Sequence, residues 1–491
     1  MDESNHNANL ANAMVGDMPE EEFQAALQQV CEWVARYRRQ VETLPVLAQV
    51  LPGDVRAALP AAPPEVGEPV EQWLADLDRV ILPATTHWNH PGFLAYFAIT
   101  GSGPGILGEL VSAALNLNGM LWKTSPALTE LEQVVLRWYA IALGLPADWF
   151  GMFADTASTS TLVALAAARE AAGLAIRDEG LAGQPGLVLY CSEEAHSLVE
   201  KAGWVLGLGR KNVRRVAADR EFRLRVSALE AAIREDRAAG KRPFAVVATV
   251  GTTSATAVDP VRQIAQVCRE HSLWLHVDAA YAGSAAIAPE FRWALDGCEL
   301  ADSFVVNPHK WMFTPMDCSA LYTRRPEAFR AAFSLVPDYL RTNVEDAVNL
   351  MDYSFQLGRR FRALKLWFVF RHFGLEGIRA RIRAHVAMAQ RFAARVDAHP
   401  HLERLAPVPF SVVCFRVHPP GVDDEAQLER LNSEVLERVN ATGKVFLSHT
   451  KLRGRYCLRL AVGNLRTTER HVHAAFDLVC RAAGLVGVAS A

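Results

Sequence analysis

Phe23, Leu27, Val30, Val34, Tyr37 and Val41 recur at steps of 4, 3, 4, 3 and 4 residues, so one apolar seam runs along a helix predicted to start near Pro19. Such a seam requires cover, from its own domain or from a second subunit. The Asn-rich start shows no periodicity and is predicted to be a disordered arm over 1–18. Residues 59–69, rich in proline and small side chains, read as a linker. From about Tyr96 to Lys365, short strand-like runs alternate with helical patterns. That alternation predicts a mostly parallel sheet wrapped by helices, with ligands bound at the carboxyl ends of the strands. The runs at 187–190, 244–250, 273–277 and 303–306 are the clearest, and 94–99 is also strand-like. Beyond Arg371 helical repeats give way to strand-like 411–417 and 456–462, the pattern of a small α+β domain. The predicted division is a helical segment over 19–100, a large domain over 101–370 and a small domain over 371–491.

Charge and composition narrow the class. The chain has 491 residues, with 51 Lys and Arg against 54 Asp and Glu, a net charge of −3. That balance argues against nucleic-acid binding driven by global charge. Its 51% hydrophobic and 21% charged residues are those of a globular protein. No apolar run reaches the length of a membrane span. No Lys or Arg precedes Arg36, whereas seven acidic residues do: Asp2, Glu3, Asp17, Glu20, Glu21, Glu22 and Glu32. This is unlike a secretory or mitochondrial leader and predicts a cytoplasmic protein. The 8 cysteines contain no C-x-x-C, so neither zinc nor a disulfide framework is signalled, and no metal site is expected. One stretch, 359–395, holds ten basic residues and only Glu376 as an acid. It reads as solvated helix faces or subunit contacts, because Leu364, Leu366, Trp367, Phe368 and Phe370 within it look like core and no nucleic-acid motif accompanies it.

GSGPGILG at 101–108 imitates a dinucleotide loop, but Ile106 stands where the third glycine belongs. A turn with Pro104 opening a helix fits better. Four other segments, each at a predicted strand end, together describe a pyridoxal-phosphate site. VVNPHKW (305–311) presents Lys310, an amine able to form a Schiff base with the cofactor aldehyde. LHVDAAYAG (275–283) ends an apolar run on Asp278, a costly buried charge unless it meets a cation such as a protonated pyridine nitrogen. DTASTSTL (155–162) sets Thr156, Ser158, Ser160 and Thr161 before an apolar helix over 162–168, where hydroxyls, backbone N–H groups and the helix dipole could cradle a phosphate or simply cap the helix. YCSEEAHSLVEKAG (190–203) places His196 after a strand, where an imidazole could stack on the ring.

DTASTSTLVAL, SEEAHSLVEKA, LHVDAAYAGSA, FVVNPHKW, DCSALY and QLGRRFRALKLWFVFR resemble the group II pyridoxal-phosphate decarboxylases, specifically the aromatic-L-amino-acid decarboxylases. The likeness runs from about Phe23 to beyond Ala461. It implies an α/β protein of fold type I, the aspartate aminotransferase type, with a large, mostly parallel seven-stranded sheet. It also implies a homodimer whose N-terminal helical segment embraces the partner, with no nucleic acid and no membrane involved. Position by position, the resemblance implies that Lys310 carries the cofactor, Asp278 pairs with its pyridine nitrogen and His196 stacks on its ring. Ala157, Ser158, Asn307 and His309 would hold the phosphate, with Thr253 beside the cofactor. Tyr339, in the PDYL segment at 337–340, falls on the family's catalytic tyrosine, the proton donor to the substrate carbon. Related aldehyde synthases typically carry Phe there, which favours simple decarboxylation over the alternative of an aromatic acetaldehyde synthase. Trp88, Tyr96 and Phe97 match the aromatic pocket, Ile99 falls at a further substrate-binding position, and Asn118 and Met120 should reach in from the other subunit. Ala98-Ile99 replaces a Pro-Thr of the animal enzymes, and Asn118 and Met120 replace an isoleucine and a phenylalanine, so the preferred ring is left open. An aminotransferase on the same fold, and a silent scaffold, are the remaining alternatives.

Overall fold

The computed structural model of the protein describes residues 16–335 and 347–485. All but the last three residues of the expected arm therefore lie outside it, as does the PDYL segment. Among the described residues eleven strands form two sheets. In the larger, β1 (Phe150–Ala154), β7 (Ser319–Thr323), β6 (Ser303–Val306), β5 (Trp274–Asp278), β4 (Arg242–Thr249), β2 (Leu187–Ser192) and β3 (Val213–Val216) lie in that order. Only β7 runs against its neighbours; the other six point one way. Fold type I with a seven-stranded sheet is thus borne out.

The strands read as unbroken apolar runs because helices cover both faces. Alternate residues divide between two cores: Val246, Ala248, Leu275 and Val277 enter one, Ala245, Val247, Leu189 and Leu321 the other. The second sheet, in the order β10 (Ser448–Leu452), β11 (Arg455–Ala461), β9 (Val412–Val417) and β8 (Leu402–Arg404), is antiparallel throughout. Its own core includes Phe392, Val413, Leu458 and Val472. The long helical stretch Arg362–Asp397 links the two units and breaks at Gly374, whose φ of 60° makes it two helices.

Two sequence expectations change. The strand expected over 94–99 does not form. Phe93 makes only an isolated bridge to Phe446, and Tyr96 turns away with φ 50°. The glycines of 101–108 serve packing. Ser102 caps the helix Gly103–Leu115 by accepting from Gly105 N–H. A Cβ on Gly105 would lie 2.3 Å from Pro315, and one on Gly108 2.6 Å from the Lys365 backbone.

The basic stretch is largely tied into the fold. Arg359 lies within 2.6 Å of buried Glu132 and also donates to the Phe153 carbonyl. Arg362 pairs with Asp317, Lys365 with Glu109 and Arg383 with Glu290. Leu364, Leu366 and Phe370 are buried, as expected. The N-terminal helix Glu20–Gln40 differs. Ala26 is its one buried residue, and Phe23 and Val30 of its seam are 49% and 40% exposed. Among the described residues no helix is long and apolar enough to cross a membrane.

Removing one member of a fully buried ion pair strands the other charge. Arg359→Met should lower the unfolding free energy by roughly 3–5 kcal/mol in urea titrations, and adding Glu132→Gln should recover part of it. An unchanged midpoint in the single variant would show that the pair is not holding the fold.

Candidate active site

Because β1, β2, β4, β5 and β6 run in parallel, their carboxyl ends meet at one edge of the sheet. This topology gathers residues scattered over 150 positions. Ala157 and Ser158 follow β1, His196 follows β2, Thr253 follows β4, Asp278 ends β5, and Asn307, His309 and Lys310 follow β6.

Asp278 is 5% exposed, and its Oδ1 accepts the Ala280 N–H at 3.1 Å. Lys310 sits in the single helical turn Pro308–Trp311, with Nζ 5.1 Å from the centre of the Phe97 ring. Burial pushes its ammonium down to about 8; Asp278 opposes the shift and the Arg459 guanidinium adds to it. Behind the lysine, Phe97, Tyr281 and Trp311 form a stacked column with ring centres 3.8 and 4.6 Å apart. His196 lies exposed at this edge, its Nδ1 accepting Leu198 N–H at 3.0 Å. Burial lowers its basicity against the pull of Asp278. A neutral ring so bonded carries its proton on Nε2. His309 is buried and pushed down to about 3, again chiefly by burial, and its Nδ1 accepts Cys318 N–H.

The helix after β1 begins at Ala157, five residues earlier than the sequence suggested. Its first-turn N–H groups therefore belong to residues around Ala157 and Ser158. Ser160 and Thr161, expected among the cradle hydroxyls, are wholly buried and bonded elsewhere, to Ser319 at 2.9 Å and His276 at 3.1 Å. Thr156 is the N-cap but makes no side-chain cap bond.

Trp88 and Tyr96 stack at 6.0 Å, and Phe97 adjoins Lys310. Ile99 lies two residues further along, half-buried. Asn118 and Met120 are not brought to this group within one chain. Asn118 Oδ1 accepts Arg359 N–H at 3.0 Å, and the Met120 carbonyl accepts Met351 N–H at 3.3 Å. Tyr339 lies outside the described residues.

Arg459 was missed. It stands on β11, 3% exposed, with its guanidinium 4.6 Å over the outer partner of the ring column, Phe97. Nε donates to the Ser254 carbonyl at 3.1 Å and Nη1 to the Tyr96 carbonyl, while Nη2 has no partner among the described residues. No carboxylate pairs with it among the described residues. The signal was there: a lone arginine inside the apolar strand YCLRLA is a costly placement that asks for a reason.

A pyridoxal-phosphate group suits this set of residues. The edge holds an amine of lowered basicity, a buried carboxylate and a helix N-terminus. The buried side-chain oxygens of Asn307 and Thr249 have no partner among the described residues, leaving polar capacity for a bound group to complete. The site thus defines a pyridoxal-dependent protein of fold type I.

Comparison narrows the class. The pyridoxal-dependent decarboxylase conserved domain matches residues 52–418. Tyrosine decarboxylase 4 of Petroselinum crispum is 41% identical, over 94% of this chain and 92% of that protein. Phenylacetaldehyde synthase of Arabidopsis thaliana is 40% identical, over 91% of this chain and 93% of that one. The crystal structure of an Oryza sativa TDC with PLP and tryptamine superposes with a TM-score of 0.93 at 36% identity, covering 96% of this chain and 99% of the other. The chain belongs to the pyridoxal-dependent decarboxylase family.

Only the neutral amine of Lys310 can attack an aldehyde. Uptake of pyridoxal phosphate by the cofactor-free protein should therefore quicken as pH rises, then level off above about 8. An ordinary lysine would keep gaining until about 10.4. Stopped-flow absorbance across pH 6.5–10.5 would read the midpoint, and a continued rise past pH 10 would overturn the assignment of Lys310.

Proposed function

We propose that the chain decarboxylates aromatic L-amino acids, releasing CO2 and an arylalkylamine. The observation that carries this reading is Lys310 of lowered basicity, set at one sheet edge with buried Asp278 and against the aromatic face of Phe97. When bound, pyridoxal phosphate accepts the electron pair left as the bond from Cα to the carboxylate breaks.

The protein's own residues do the rest. Lys310, its basicity lowered to about 8, offers far more neutral amine near neutral pH than an ordinary lysine would. Asp278 would hold a proton on the pyridine nitrogen, because a buried carboxylate favours a cation beside it. His196 lays a neutral ring on the cofactor. The N–H groups at Ala157 and Ser158, with Asn307 and neutral His309, hold the phosphate, and Thr253 lies alongside. Trp88, Tyr96, Phe97 and Ile99 exclude water around the substrate ring. Nη2 of Arg459, unpartnered among the described residues, would bind the substrate carboxylate and orient it for loss. Tyr339 delivers the proton to Cα.

The working unit in this reading is a homodimer in the cytoplasm. Phe23 and Val30 on the helix Glu20–Gln40, and Leu107, Leu110, Val111 and Leu115 on the helix Gly103–Leu115, at 39 to 57% exposure, support a partner subunit. Asn118 and Met120, held by the chain's own 351–359, would complete the partner's pocket. The acidic first turn of the N-terminal helix and the free thiols are in keeping with the cytoplasm.

The resemblance to an aldehyde synthase makes oxygen the decisive reagent. Incubated with DOPA, tyrosine, tryptophan, phenylalanine or 5-hydroxytryptophan, the holoprotein should release amine and CO2 in equal amounts with no oxygen uptake. Aldehyde with peroxide and consumed O2 would move it to the synthases. Lys310→Ala should lower turnover by at least about 10³-fold. Tyr339→Phe should keep CO2 release but begin to consume oxygen, and a variant still yielding only amine would remove Tyr339 from the proton step.

A further inference from the structure

His276 lies in β5, two residues before Asp278 and therefore on the same face of the strand. It is wholly buried. Its Nε2 is 3.1 Å from Thr161 Oγ1, and its Nδ1 is 2.8 Å from Ser303 Oγ on β6. Ser303 Oγ also accepts the Trp274 indole N–H at 2.9 Å. A continuous polar relay thus runs from β5 and β6 into the helix Ala157–Ala171. Burial drives the imidazole down to about 3, so it is neutral at any working pH and has no part in charge balance. None of these side chains is among those assigned to the cofactor or the substrate above.

An imidazole in an apolar core is costly to place, and a leucine would fill the volume without that cost. What it gives instead is direction. The helix Ala157–Ala171 meets the sheet largely through small residues, Ala164, Ala167 and Ala168 among them. Apolar contact of that kind is non-directional and tolerates sliding. A hydrogen bond of defined length and angle does not. Thr161 stands one helical turn after Ala157, on the same side of the helix. The relay therefore joins the two parts of the protein that must grip opposite ends of one rigid molecule, the N–H groups of Ala157 and Ser158 and the carboxylate of Asp278. Binding sites of this sort require placement to within about 0.5 Å.

We propose that His276, through Thr161, is a positioning residue that sets the spacing between the phosphate-holding helix and Asp278, and so the fit of the cofactor as a whole. The inference rests on the cofactor site assigned above. Ser160, bonded to Ser319 on β7, ties the same helix to a different strand and serves as the control.

The test compares full-length wild type, Thr161→Val, His276→Gln and Ser160→Ala, each freed of cofactor. Each is titrated with pyridoxamine 5′-phosphate, which cannot bond covalently to Lys310, and separately with inorganic phosphate. Thr161→Val and His276→Gln should bind pyridoxamine phosphate roughly ten-fold or more weakly, with phosphate affinity unchanged, since one anchor alone needs no spacing. Ser160→Ala should lose much less. Equal loss of both ligands would mean a damaged helix terminus and would overturn the proposal, as would unchanged pyridoxamine phosphate affinity in a folded Thr161→Val. Failure of the wild type to bind pyridoxamine phosphate at all would instead overturn the cofactor site itself. Melting of the cofactor-free variants identifies any that simply fail to fold, and His276→Gln, which keeps a polar side chain, preserves the test if Thr161→Val is one of them.

Discussion

A carboxylate closing a wholly buried strand at the centre of the large sheet is the constraint around which this molecule is arranged. Asp278 ends β5, between β4 and β6, at 5% exposure, and a charge so placed must be answered by cations or by a bound group. Lys310 is the cation that feels this carboxylate, Arg459 in turn presses on Lys310, and both cations have their basicity lowered, first by burial. Among the described residues, donors stand unused at Arg459 Nη2 and at the N-terminus of the helix that begins at Ala157.

The second sheet helps to build the same site. Tyr96 is held in a left-handed conformation from both sides, its N–H by Ser448 on β10 and its carbonyl by Arg459 on β11. Phe446 meets the Tyr96 ring edge-on at 5.9 Å, and the Tyr281 hydroxyl bonds Ser411 beside β9. The aromatic segment is therefore set by where the small domain docks. A non-glycine residue with positive φ is sustained by such surroundings rather than by its own preference.

Charge along the chain has a similar logic. A local excess of nine positive charges over 359–395 sits in a protein of net charge −3. Much of that excess is neutralised by acids remote in sequence: Glu132, Asp317, Glu109, Glu290, Glu469 and Asp477. These pairs fasten the long helical stretch to the large domain at one end and to the helix Glu469–Ala482 at the other. A charge run read along the sequence marks a fastening surface as readily as a binding one.

Short unbroken apolar runs wrote the strands into the sequence, and four segments taken together, those of Lys310, Asp278, Ser158 and His196, wrote in the cofactor. What depended on contacts between distant segments was illegible. Neither the true start of the helix at Ala157, nor the capture of Ser160 and Thr161 by Ser319 and His276, follows from local pattern. The packing role of Gly105 and Gly108 is visible only against Pro315 and Lys365, and Arg459 becomes part of the site only when β11 is folded beside Phe97. The sequence by itself determined which elements form and which chemistry they carry, since both follow from residue type and short-range spacing. Tertiary structure alone decided which polar side chains stay free for that chemistry and which are used up as fastenings, because a hydrogen bond depends on a partner that chain order does not reveal.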